Sequence, residues 1–253
     1  TYSLIERDSI LVDSVMTAQM PDTIWRDTTY QQLRAFHNVR IFRSDMQAVC
    51  DSARYHGKDS ILTLFGLPIC WNEDNQLSAD QIDVYIKNQE VDYMHGVGNA
   101  IAIKREGIEE FNQLAGKEMF AYVRDRDIYL VDVQGNAETV FYPQEDDGTY
   151  IGVNRTQSSF VKLYLKDRKI DYVLFTTATT GVMIPLDQAL ENERKLSGFF
   201  WAEEERPHSP EDIFSHPPRT VRPVAGTVSA AAEDEEEAEE DEEENKATRR
   251  QNR

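Results

Sequence analysis

The sequence predicts an all-β fold of stacked short-strand repeats, followed by a short helix and a disordered acidic tail. Three observations predict it: a recurring segment bounded by tyrosines, an alternation of apolar and polar residues, and a recurring Gly-Asn-Ala motif. The 253 residues are enough to bury a sizeable core. No apolar stretch approaches the roughly 20 residues of a membrane-spanning helix.

The recurring motifs set the register of the predicted strands. The segment Tyr85–Tyr93 recurs as Tyr164–Tyr172, with the same two tyrosines, lysine and aspartate. Gly-Asn-Ala stands at 98–100 and again at 135–137, and His-Asn-Val at 37–39 is a weaker copy. Because one unit of this size cannot bury its own apolar face, the units must stack and share one interior.

Each predicted strand has one apolar face. Ile82, Val84 and Ile86 alternate with polar residues, and the same period of two recurs around Met119 and Val161. Polar turns separate the strands, as hairpin connections require. The alternation selects Ile82, Val84, Ile86, Met119, Ala121, Val123, Val161, Leu163 and Leu165. By pattern alone, these residues either line an open groove or fill a closed core.

The repeat pattern ends near residue 180. Residues 186–196 are predicted to form a short helix, with acidic residues early, basic residues late and Gly198 as a stop. The aromatic run at 199–201 is expected to act as a lid on the last repeat.

The remaining chain reads as non-globular. Five prolines between 207 and 223 predict an extended segment, and eleven of the twelve residues from 233 to 244 are acidic. These shifts in composition predict three parts. They are a β-repeat domain at 1–180, a helix with a proline-containing extension at 181–225, and a disordered acidic tail at 226–253.

Composition and motifs argue against several classes of protein. A net charge of −19 repels a phosphate backbone, so no nucleic-acid partner is expected. The sequence has no P-loop, dinucleotide fingerprint or nucleophile elbow, and its five histidines lack metal-ligand spacing. We therefore predict no catalytic residues, no metal site and no cofactor. Cys50 and Cys70 either pair in an oxidising compartment or are two small buried residues.

The repeat unit resembles that of the OstA-like (LptA) family of lipopolysaccharide-transport proteins. Its matching pieces are Leu77–Asp80, Val97–Ala100, Leu114–Lys117 and Val133–Ala137, and the resemblance covers roughly residues 10–180. Lys117 stands where the family has an aspartate, and His37 replaces the glycine of one Gly-Asn-Ala motif.

The resemblance implies an elongated β-jelly-roll, a β-taco, whose apolar interior binds the acyl chains of lipopolysaccharide. It also implies a non-enzymatic periplasmic carrier that bridges transport to the outer membrane. Partners would be lipopolysaccharide and other OstA-fold proteins, or further copies of the chain, joined end to end by strand addition. The nine alternating apolar residues named above would then be the lipid-binding residues.

Two other functions remain open at the level of sequence. One is a structural scaffold with a closed core and no lipid ligand; the other is a carbohydrate-active β-repeat enzyme. A related ambiguity concerns the basic turn residues, which either meet lipid phosphates or are solvated hairpin turns paired with acidic neighbours. These residues are Lys58, Lys87, Arg124, Arg126, Lys166 and Arg168.

Overall fold

The described part of the chain forms one antiparallel sheet of thirteen strands. The computed structural model describes residues 2–17, 20–145 and 147–215. The strands are β1 Tyr2–Thr17, β2 Met20–Arg43, β3 Met46–His56, β4 Ile61–Phe65, β5 Ile69–Asn72, β6 Asn75–Ser78, β7 Gln81–Lys87, β8 Glu90–Arg105, β9 Phe111–Arg124, β10 Asp127–Phe141, β11 Gly152–Lys166, β12 Lys169–Thr176 and β13 Thr180–Pro185. Two short α-helices follow, α1 Glu191–Arg194 and α2 Asp212–Ser215, with a 3-10 turn at Glu203–Glu205 between them. The predicted all-β fold class with a short helix is confirmed.

Three long strands bend at a two-residue bulge. The bulges are His37-Asn38 in β2, Gly98-Asn99 in β8 and Gly135-Asn136 in β10, and all six residues have positive φ. The pairing register skips both residues at each bulge. The Gly-Asn-Ala motif therefore marks the line along which the sheet folds, because bulges of this kind bend a strand sharply.

The bend divides the sheet into two arms whose inner faces meet. In arm 1, β8 pairs with β7; beyond the bulge, in arm 2, the same strand pairs with β6. The tips of arm 1 are hairpin turns at 57–60, 88–89, 125–126 and 167–168, and the tips of arm 2 include the turns at 44–45 and 73–74. One hydrophobic core joins inner-face residues of both arms, among them Ile82, Val84 and Met119 from arm 1 and Ala48, Leu77 and Leu114 from arm 2.

Gly98 shows why the bend needs glycine. Its φ is +72°, and a Cβ there would lie 2.3 Å from Oδ2 of Asp80. Asp80, in the segment between β6 and β7, holds the bulge: its N–H donates to the Gly98 carbonyl at 2.9 Å, and its Oδ2 accepts from Asn99 Nδ2 at 3.0 Å. A side chain at this position would therefore displace the residue that fixes the bulge.

We expect Gly98→Ala to lower the free energy of unfolding by about 3 kcal/mol, because left-handed backbone strain adds to the clash with Asp80. Gly148→Ala is the matched control, since Gly148 also has positive φ, +86°, but no atom lies within 4 Å of a Cβ placed there. It should cost only about 1 kcal/mol. Denaturant unfolding measures both variants, and equal costs would contradict the role of the Asp80 contact.

Residues 186–206 form a strap that follows β13. Its helix α1, Glu191–Arg194, is shorter than the predicted 186–196. The Arg194 guanidinium donates to the carbonyls of Leu186 at 2.6 Å and Ala189 at 3.1 Å, and these bonds accompany a turn at 186–188 where helix was predicted. The predicted domain boundaries at 180 and 225 stay predictions, and residues 226–253 lie outside the described residues.

The strap covers the outer face of arm 2 across several repeats, more than the last repeat that was predicted. Phe199 and Trp201 pack on Phe111 of β9, with ring centroids 5.3 and 5.5 Å apart. Phe200 packs with Val49 of β3 and its buried neighbours Ile69 and Trp71 of β5. Phe199 and Trp201 also pack against the cluster that contains Val140 of β10 and Val153 of β11. The aromatic run therefore covers strands near the end of the repeats and extends over earlier ones, because the outer face of arm 2 is apolar across several strands.

Buried glutamines fix the strap to the sheet. Gln76 of β6 donates to the Phe200 carbonyl at 2.8 Å and accepts from the Ala202 N–H at 2.9 Å. Gln113 of β9 donates to the Arg194 carbonyl at 2.7 Å and accepts from the Leu196 N–H, also at 2.7 Å. Each amide therefore satisfies two strap backbone groups that burial would otherwise leave without partners.

Candidate functional site

A cavity of about 440 Å³ lies between the two arms. From arm 1 it is lined by Met94, Met119, Ala121, Val131, Leu163 and Val173. From arm 2 it is lined by Met46, Cys70, Leu77 and Leu114. The period-two alternation of the strands produces these walls, because every second side chain points to the inner face. Its volume lies within the range of small-molecule binding sites, and its walls are predominantly apolar.

Six of the nine predicted site residues line this cavity. They are Met119, Ala121 and Val123 of β9, with Val161, Leu163 and Leu165 of β11. The other three, Ile82, Val84 and Ile86 of β7, belong to the same inner-face core but do not line the cavity, and Ile82 and Val84 are fully buried. Lipid binding by these residues stays a prediction.

Several lining residues lie outside the predicted set. Val91 and Met94 of β8, with Ile128 and Val131 of β10, show the same alternation and could have been read from it. The opposite wall had no such signal. Its residue Leu77 stands in a strand of only four residues, and only the fold of the sheet brings that strand to face arm 1.

The mouth of the cavity is formed by charged hairpin turns. In arm 1, Arg126 Nε lies 3.5 Å from Glu90 Oε1. In arm 2, Arg43 Nε lies 2.5 Å from Asp45 Oδ1. The Arg43 guanidinium lowers the pKa of the Asp45 carboxyl, and Arg126 lowers it further from the opposite arm. The mouth therefore combines both signs of charge above an apolar interior.

The predicted basic turn residues divide into two groups. Lys87, Arg124, Arg126 and Arg168 line the mouth of the cavity. Lys58 and Lys166 do not. The side chain of Lys58 instead lies over the Tyr30 ring, 5.9 Å from its centroid. Any ligand in the cavity would meet the first group alone.

The tyrosines of the repeated segment lie on the outer face of arm 1. Tyr85 stacks on Tyr93 with ring centroids 4.1 Å apart, and Tyr164 stacks on Tyr172 at 4.3 Å. Burial raises the pKa of Tyr93 to about 12, and its hydrogen bond with Tyr85 contributes to the rise. The stacked rings stabilise cross-strand pairs. This packing explains why the same tyrosine spacing occurs in both copies of the segment.

The two cysteines lie in the inner-face core. Both are buried, and Cys70 lines the cavity. Burial raises the pKa of the Cys70 thiol, and the neighbouring Cys50 raises it further. A thiol of this kind behaves as a small apolar side chain, because its thiolate form is suppressed.

Residues 2–17, 20–145 and 147–215 contain no group of three or more His, Cys, Asp or Glu side chains placed to hold a metal ion. Within the same ranges, no helix has the length and apolar character needed to cross a membrane.

No protein-family model matches the chain, and no curated protein matches it. Among solved structures, the chain is similar to LptH from Pseudomonas aeruginosa, the LptA homologous periplasmic component of the conserved lipopolysaccharide transport device. The two are 14% identical, with a TM-score of 0.44, and the match covers 56% of this chain and 100% of LptH.

Proposed function

We propose that the chain is a non-enzymatic carrier that binds the acyl chains of lipopolysaccharide between the two arms of its sheet. The observation that carries the proposal is the apolar cavity of about 440 Å³, which remains between the inner faces although the surrounding core is closely packed. Burial of each methylene group contributes roughly 0.8 kcal/mol, so shelter for even part of one acyl chain is worth several kcal/mol.

Two further observations support a particular class of ligand and a particular cellular compartment. Among the described residues that line the cavity, Trp71 alone has a buried side-chain nitrogen without a hydrogen-bond partner, and that side chain packs with Val49 and Phe200 under the strap. The charged lining residues lie at the mouth. An amphiphile with its chains inside and its head at the mouth matches this distribution. The sequence resemblance to OstA-like proteins favours lipopolysaccharide as that amphiphile and the periplasm as the compartment.

Photocrosslinking from neighbouring positions of one strand tests the proposal. A photoreactive residue at position 163, whose side chain lines the cavity, should crosslink to lipopolysaccharide. The same residue at position 162 is the matched control, because Lys162 pairs with Asp132 at 3.2 Å and does not line the cavity. Equal crosslinking from both positions, or none from folded protein, would contradict the carrier and favour a scaffold.

The C-terminal edge of the sheet supports end-to-end association. Within the described residues, β12 and β13 pair only with β11, so each leaves one edge open. Large apolar side chains are about half exposed there: Tyr172, Leu174, Val182 and Met183. We propose that this edge adds to the end strand of another copy or of a protein with a similar sheet.

Paired lysines on this edge are expected to abolish self-association. Leu174→Lys with Val182→Lys places two charges where the next sheet would dock, and such charges prevent edge-to-edge pairing. Sedimentation velocity over a concentration series should show association for the wild type and a monomer for the double variant. Ile108→Lys is the control, since Ile108 is 85% exposed in the β8–β9 turn, away from both edges. Association that survives the double variant would place the contact elsewhere.

A further inference from the structure

Arg168 joins the two arms across the mouth of the cavity. It lies in the β11–β12 turn at the tip of arm 1. Its Nη1 atom lies 2.5 Å from Glu73 Oε1, in the β5–β6 turn of arm 2, and its Nε donates to Asp127 Oδ1 at 2.9 Å. All three side chains line the cavity.

The two partners of Arg168 have different structural effects. Asp127 begins β10 in the same arm, so its bond orients the guanidinium at the mouth whether the arms move or not. Glu73 belongs to the opposite arm, so its bond exists only while the mouth is closed at this point. The side chain of Arg168 is 59% exposed and that of Glu73 is 47% exposed, so solvent and solutes reach both.

A ligand that enters here meets this ion pair. Leu163 and Leu165 lie on β11, which leads into this turn, and both line the cavity. The Arg168 guanidinium therefore lies where the acyl chains of a bound amphiphile would join its headgroup. A guanidinium has five N–H donors in a planar fork, and two bonds use only part of that set. The fork matches phosphate oxygens two at a time, which an ammonium group does not do.

We propose that Arg168 is a headgroup-binding residue that selects amphiphiles bearing a phosphate monoester. The phosphate replaces the Glu73 carboxylate as the partner of Arg168, while Asp127 keeps the guanidinium in place. Binding of the head therefore separates Glu73 from Arg168 and releases the two arms at this point. The inference rests on the proposed function, because it takes the acyl chains to lie in the cavity.

Two amphiphiles with the same chain separate head recognition from chain burial. Dodecyl phosphate and dodecyl maltoside, both below their micellar concentrations, are titrated into the protein at fixed ionic strength, and binding is measured calorimetrically. We expect Arg168→Gln to weaken dodecyl phosphate about tenfold and to leave dodecyl maltoside unchanged, the loss expected for one charge-assisted pair. Glu73→Gln, which removes the competing carboxylate, should strengthen dodecyl phosphate binding severalfold and leave the maltoside unchanged.

Lys166→Gln is the matched control. It makes the same change of charge two residues away, at an exposed side chain that does not line the cavity. Equal loss of dodecyl phosphate binding in Lys166→Gln and Arg168→Gln would overturn the proposal, because long-range attraction would then explain it. Inorganic phosphate alone should neither bind nor compete at the concentrations used. Saturable competition by inorganic phosphate would also overturn the proposal, since the site would then bind a free anion without an acyl chain.

The outcomes also distinguish this inference from the proposed function. If neither amphiphile binds the wild-type protein, the cavity is not a lipid site and both ideas fail. If both amphiphiles bind and Arg168→Gln changes neither, the carrier stands and the headgroup role of Arg168 fails. Thermal melting of each variant confirms that the compared proteins are folded.

Discussion

Ala121→Trp is expected to lower the affinity for lipopolysaccharide by more than a hundredfold. Ala121 lies on the inner face of β9 and lines the cavity, so an indole there occupies space that acyl chains would use. Exclusion of about four methylene groups removes roughly 3 kcal/mol of burial, which corresponds to a factor of more than 100 in the dissociation constant. Equilibrium binding of lipopolysaccharide, measured with a detergent-matched blank, checks this result.

Phe120→Trp is the matched control for this prediction. Phe120 is the preceding residue of the same strand, but it lies on the outer face, stacked on His95 with ring centroids 4.0 Å apart. An indole there should leave binding unchanged. Val123→Trp, nearer the mouth and also lining the cavity, gives a second variant if Ala121→Trp is unstable. Equal losses of affinity from inner-face and outer-face indoles would show that the cavity is not the binding site.

Gln76→Leu is expected to give the largest loss of stability among single substitutions in the strap interface. Gln76 is fully buried and satisfies both the Phe200 carbonyl and the Ala202 N–H. Leucine has similar volume but no polar atoms, so both strap groups lose their partner. Each buried polar group left without a hydrogen bond costs about 1–3 kcal/mol, so we expect a total near 3 kcal/mol.

Thermal unfolding measures this loss. For a domain of this size, about 3 kcal/mol lowers the melting temperature by roughly 6–12 °C. Gln157→Leu is the control, because Gln157 is exposed on β11 and surface substitutions usually change stability by less than about 0.5 kcal/mol. A melting temperature of Gln76→Leu within a degree of the control would mean that the strap is not fixed through this glutamine.

The strands could be predicted because their determinants are local. The alternation around Ile82, Met119 and Val161 follows from the period of two, and each of these residues lies in the inner-face core. The Gly-Asn-Ala motif was recognised as a repeat marker, but its role as the fold line was not. A bulge is visible only in the pairing of a strand with its neighbours, and those neighbours change at residues 98–99.

The cavity could be predicted only in part. The pattern selected β7 together with β9 and β11, and the β7 residues belong to the same inner-face core but do not line the cavity. It also omitted the opposite wall, since a single strand does not specify which strand faces it across the core. The full extent of the strap was not predicted for the same reason: three aromatic residues predict burial but do not specify how many strands they cover.

The sequence by itself determined the fold class, the inner faces of β7, β9 and β11 and the positions of the arm 1 turns, because each depends on residues only a few positions apart. Only the tertiary structure decided that the sheet folds into two arms, that a cavity remains between β9, β11 and the arm 2 wall, and that Arg168 meets Glu73 across its mouth. Those features bring together residues nearly a hundred positions apart in the chain, or residues on opposite arms of the sheet. Their formation depends on how strands pair and pack, which no local pattern records.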